Sequence, residues 1–117
     1  MFAFENFPVY LKSEDIYKQL KDSFKNKEIN SNLRDQLFRS ATSIILNIAE
    51  GAGKMSKKDK RNFYNIARGS TQETVAIMRL LKLENHISEE TYENVYNDLT
   101  TISKMLSGLM RSMESVV

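Results

Sequence analysis

Residues 37–73 read LFRSATSIILNIAEGAGKMSKKDKRNFYNIARGSTQE, and their apolar spacing decides the fold. Before the turn, Leu37, Ala41, Ile44 and Ile48 recur on one helical face, and Phe38, Ile45 and Ala52 widen it. Beyond the turn, Phe63, Ala67, Ser70, Thr74, Ile77 and Leu81 repeat at alternating spacings of four and three. Gly51 and Gly53 are read as ending the first pattern. Ser56, with Asp59 three positions on, is a capping signature for the second. Such a stretch predicts two helices joined by a tight connection. The connection is loaded with Lys54, Lys57, Lys58, Lys60 and Arg61.

Two more helices follow on either side. Upstream, Pro8 suits a first helical turn, where its missing N–H has no partner to lose. Val9, Ile16, Leu20 and Phe24 then form an apolar row beside Tyr17. Positions 25–32 are polar and asparagine-rich and read as a loop. Asn32 is the expected N-cap of the second helix, with Asp35 facing its positive end. Downstream, Ser88 with Glu89 and Glu90 opens a fourth helix. There Tyr92, Val95, Leu99, Ile102, Leu106, Leu109 and Met113 keep an unbroken heptad seam. The expected helices run over about 8–24, 33–52, 56–85 and 88–114. Short connections make this an all-α, antiparallel up-down-up-down four-helix bundle, with residues 1–117 as one domain.

Composition excludes several classes. The chain has 117 residues, no Cys and a single His, His86. That leaves no disulfide framework, no thiol nucleophile and no histidine-rich metal site. No cofactor motif is present, no Glu-x-x-His pair supports a di-metal bundle, and no apolar run is long enough to span a bilayer. The first residues lack the basic-then-apolar pattern of a secretory signal, so a cytoplasmic location is expected. His86 falls in the turn between the third and fourth helices and is read as a turn residue.

The formal net charge is +2, unevenly spread. Residues 54–82 carry Lys54, Lys57, Lys58, Lys60, Arg61, Arg68, Arg79 and Lys82 against only Asp59 and Glu73. Residues 83–117 are acidic on balance. On a helical wheel Lys57, Arg61, Tyr64, Arg68, Arg79 and Lys82 share one flank of the third helix. Cations in a row with a ring for stacking are what a phosphate backbone requires, although cationic rows are as a rule solvated faces. The basic connection at the end of the row favours RNA or DNA. The expected nucleic-acid contacts are these cations, Lys54, Lys58, Lys60 and Tyr64.

Other residues stand out for structural reasons. Gln36, Ser40, Ser43, Asn47 and Glu50 form a polar stripe of small groups, which predicts close helix packing with hydrogen bonds across it. Glu73 lies in a row with Ile66 and Leu80, so a buried ion pair with Arg39 is expected. Tyr96, Met105 and Met110 add apolar surface off the fourth helix's seam and are the expected self-association surface.

The residues Gln36-Leu37, Arg39, Ser43-Ile44, Asn47-Ile48-Ala49-Glu50-Gly51, Lys57-Lys58, Phe63, Ala67 and Gly69-Ser70 with Glu73 carry a resemblance. Phe4-Glu5-Asn6-Phe7 and Ile16-Tyr17 extend it upstream. Over nearly its whole length the chain resembles the four-helix-bundle proteins encoded in intervening sequences of bacterial 23S ribosomal RNA genes. The accessory variability proteins of diversity-generating retroelements share that fold. Members often carry Pro where this chain has Ile45, which implies a straighter second helix here. The resemblance implies a homopentameric ring, no enzymatic activity, no cofactor or metal, and a basic surface for nucleic acid. It also raises an alternative: a protein-interaction scaffold, such as the accessory subunit of a reverse transcriptase.

Overall fold

The computed structural model describes residues 1–29 and 31–114. Among them are four α-helices and no strand: α1 (Pro8–Ser23), α2 (Ser31–Gly53), α3 (Lys57–Leu83) and α4 (Glu89–Ser112). Each expected helix is present, with no end shifted by more than two residues. The last three positions of the expected domain, 115–117, lie outside the described residues. A short 3₁₀ turn, Ala3–Asn6, precedes α1 and packs on it and on α2. Within it Phe4 meets Tyr10 edge-on, with ring centroids 4.8 Å apart.

The four helices close into a bundle 51 Å long: α1 packs on α2 and α4, and α3 packs on α2 and α4. The core takes one face from each. Val9, Ile16, Leu20 and Phe24 come from α1 and its C-cap, and Leu33, Leu37, Ala41, Ile44 and Ile48 from α2. Ala67, Ile77, Met78 and Leu81 come from α3, and Tyr92, Val95, Leu99, Ile102 and Leu106 from α4. Burying aliphatic side chains in this way contributes about 1.5–3 kcal/mol each relative to exposure, and that burial outweighs helix propensity.

The polar stripe of α2 packs closely at Ser40 and Ser43, while Glu50 is exposed and Gln36 bonds within α2. Ser43 and Ser70 share a hydrogen bond at 2.7 Å, and Thr74 Oγ1 donates to Ser40 Oγ at 2.8 Å. Asn47 Nδ2 donates back to the Ser43 carbonyl at 2.8 Å. Three positions back along α2 correspond to four forward along α3. Small hydroxyls let the two backbones approach, and each buried hydroxyl is satisfied by its neighbour, as burial demands.

Two local expectations change. Asn32 is not the N-cap of α2 but sits inside its first turn, where its Oδ1 accepts from Gln36 Nε2 at 3.2 Å. Of the two glycines expected to end α2, Gly53 does so and Gly51 lies inside the helix. The end of α3 follows local chemistry: Asn85 takes φ 61°, His86 N–H donates to the Leu81 carbonyl at 2.9 Å, and Asn85 N–H donates to that of Lys82 at 3.0 Å. This is a Schellman closure with asparagine in the left-handed position, so His86 serves the turn through its backbone.

Candidate nucleic-acid interface

The connection between α2 and α3 forms one tip of the bundle, and Ser56 starts α3 there by accepting from Asp59 N–H at 3.1 Å. Around that start the cations divide into two kinds. Lys57, Lys58 and Arg61 are exposed, and among the described residues no carboxylate pairs with them. Lys57 and Lys58 open α3, where the helix dipole is already positive, so their charge adds to that of the helix end instead of offsetting it. A folding argument alone would place acids there.

Lys54 and Lys60 have structural work instead. Lys60 Nζ donates to the Ala52 carbonyl at 2.9 Å and lies 3.4 Å from that of Gly51, which satisfies the end of α2. Lys54 sits 5.1 Å above the Phe63 ring and 3.7 Å from Glu50.

Farther along α3 the row divides again. Arg68 reaches Ser107 Oγ on α4 at 3.3 Å and Asn65 Oδ1 at 3.2 Å. Arg79 is exposed and unpaired among the described residues. Lys82 is held between Glu89, at 3.0 Å, and the Tyr92 ring, 4.5 Å from its centroid.

Tyr64 is a correction. Expected to stack on bases, it is 2% exposed and belongs to the core. Burial pushes its phenol up from the ordinary 10.0. Its ring lies over Gly51, where an added Cβ would stand 2.7 Å from Tyr64 Cε1. The wheel places Tyr64 on the border between the cationic flank and the core. Because α3 packs on both α2 and α4, the buried arc is wide enough to take it, along with Thr71 and Met78.

The Arg39–Glu73 pair is a second correction. Both residues are exposed and no ion pair joins them. Ile66 and Leu80, which made the row look buried, are themselves 43% and 47% exposed. The row faces outward past the α2–α3 seam. The expected association surface changes too: Met110 is 5% exposed, and Met105 is half-buried against the core, leaving only Tyr96 open. Leu46 of α2 and Ile66, Leu80 and Leu83 of α3 are exposed instead, as are Leu11 of α1 and Met55 between α2 and α3. Beside Leu46 runs an open groove lined by Phe38, Arg39, Thr42, Ser43 and Asn47. Sequence spacing does not single out Lys104 of α4, which lines a second groove together with Arg68; only the pairing of α3 with α4 puts the two residues in one lining.

Among the described residues no cluster of His, Asp or Glu could hold a metal ion, and no helix is long and apolar enough to cross a membrane. The geometry defines a four-helix bundle with a free cationic tip. The chain belongs to the 23S rRNA-intervening sequence protein family, whose pattern it matches over residues 7–108. It is similar to a crystallised protein of unknown function from the S23 ribosomal protein family of Bacteroides thetaiotaomicron VPI-5482. The two share 34% identity over 88% of this chain and 98% of the other, with a TM-score of 0.74. Comparison with curated proteins finds no match.

Proposed function

We propose that this chain is a non-enzymatic, homo-oligomeric bundle of up-down-up-down topology that binds the phosphate backbone of RNA or DNA through its α2–α3 tip. The observation that carries the reading is the trio Lys57, Lys58 and Arg61, exposed and, among the described residues, without a carboxylate partner, at a helix end that is already positive. In a ring, such as the pentamer implied by resemblance, each tip repeats with the symmetry and the fields add. The contacts are to phosphates, so binding is weakly sequence-specific.

The test is a salt titration of binding to an RNA duplex and a DNA duplex. Changing Lys57, Lys58 and Arg61 together to Gln is expected to weaken both. On DNA the slope of log affinity against log salt should flatten by about 2.7, from ~0.9 per phosphate contact. The fold should persist, since all three side chains are exposed. Unchanged affinity and slope would overturn the tip reading and leave the scaffold for a protein partner, a reverse transcriptase included, in its place.

The outer faces of α2 and α3 support the self-association in this reading. Leu46 and Leu80 are open to solvent on adjacent helices, a surface that a second copy would cover. Light scattering at micromolar concentration is expected to give a multiple of 13.5 kDa. Leu46→Glu with Leu80→Glu should shift it to the monomer. A parent chain that scatters as a monomer would remove this part of the proposal.

A further inference from the structure

Between α3 and α4 runs an open groove of about 540 Å³, separate from the tip. Its charged lining groups are Arg68 and Lys104, both cationic. Gln72, Ser103 and Ser107 add polar groups beside them, and Tyr96, 42% exposed, lies toward one end. Tyr96 is steadied from behind by Tyr92, with ring centroids 5.9 Å apart at 25°. Arg68 is held in place by its bonds to Ser107 and Asn65, while Lys104 has no carboxylate partner among the described residues.

We propose that this groove binds one strand of single-stranded RNA or DNA, with phosphates at Arg68 and Lys104 and a base stacked on Tyr96, a proposal that rests on the phosphate-binding reading above. The length of the groove selects the ligand. From Tyr96 to Ser107 is ~16 Å along α4 at about 1.5 Å per residue. A stacked strand advances ~3.4 Å per nucleotide, so the span suits four or five nucleotides and exceeds a mononucleotide. The exposed ring selects the strand type: a paired base keeps its faces inside the duplex, whereas an unpaired base is free to lie on Tyr96. With cations and hydroxyls at one end, an aromatic ring at the other and no carboxylate in the lining, the groove repels no phosphate along its length.

The experiment compares a labelled ten-nucleotide oligouridine with a 20-base-pair RNA duplex by fluorescence anisotropy across a salt series. Arg68→Gln with Lys104→Gln is expected to weaken oligouridine binding at least tenfold and to reduce its salt slope by about 1.4, at ~0.7 per phosphate for single strands. Duplex affinity should change less than twofold. Tyr96→Leu should weaken oligouridine about tenfold through lost stacking. If removing the Arg68–Ser107 bond loosens the helices, Lys104→Gln alone, at an exposed position, carries the same test with half the slope change. Groove variants that bind oligouridine like the parent, or that lose duplex and single strand equally, overturn the groove. If the tip variant loses both probes while the groove variants lose neither, the groove falls and the tip stands. Loss of oligouridine in the groove variants with an unaffected tip variant supports the groove and removes the tip. A parent that binds neither probe at low salt ends both readings.

Discussion

Tyr64→Ala is expected to cost about 3–5 kcal/mol of folding stability, the range for truncating a large buried aromatic side chain. The ring is 2% exposed and fills the space between Gly51 and the α3 side of the core, so its removal leaves a cavity the packed helices cannot close. Chemical denaturation should show the loss as a lower midpoint with little change in slope. Tyr64→Phe should be far milder at neutral pH and should change the alkaline behaviour. Burial favours the neutral phenol, so the folded pKa lies above the unfolded one. The stability associated with the neutral phenol is therefore fully present below pH ~10 and is lost as pH rises through the folded value. Tyr64→Phe should be less sensitive than the parent above that pH. A Tyr64→Ala variant that keeps its denaturation midpoint but loses nucleic-acid affinity would put the ring at an interface and not in the core.

Gly51→Ala is expected to destabilise by about 1–3 kcal/mol, the cost of overpacking, although alanine in a helix usually gains ~1 kcal/mol over glycine. The new Cβ would stand 2.7 Å from Tyr64 Cε1 and 3.2 Å from Phe63 Cβ. Neither neighbour yields easily: one is a buried ring and the other is fixed to the α3 backbone. Gly53 is the control, because nothing lies within 4 Å of a Cβ placed there. Gly53→Ala should be neutral or mildly stabilising. Gly51→Ala combined with Tyr64→Leu should cost less than the two single changes added together, since the smaller side chain makes room for the methyl group. Equal effects at Gly51 and Gly53 would show that the close approach of α2 and α3 does not constrain position 51.

The bundle was legible because long helices repeat their apolar residues at 3.6-residue spacing, and the α2 row and the α4 seam do so without interruption. The hydroxyl stripe Ser40–Ser43 was legible for a related reason: small polar groups beside an apolar face fit only where another helix comes close. Tyr64, Glu73 and Met110 were not. Each lies near the edge of its helix's buried arc, where a change of a few tens of degrees in packing decides between core and solvent. Lys60 is indistinguishable from the free cations in sequence because its partner, the carbonyl end of α2, comes within reach only after the hairpin folds.

By itself, then, the sequence determined the four helices, their order, most of the core and the cationic connection, all of which depend on local spacing and composition. Only the tertiary structure decided which cations stay free, that Gly51 is a contact point, that Arg39 and Glu73 remain apart, and that Arg68 and Lys104 line one groove. Those outcomes depend on the relative rotation of neighbouring helices. That rotation is set by the fit of side chains between them and is not encoded in the periodicity of any one helix.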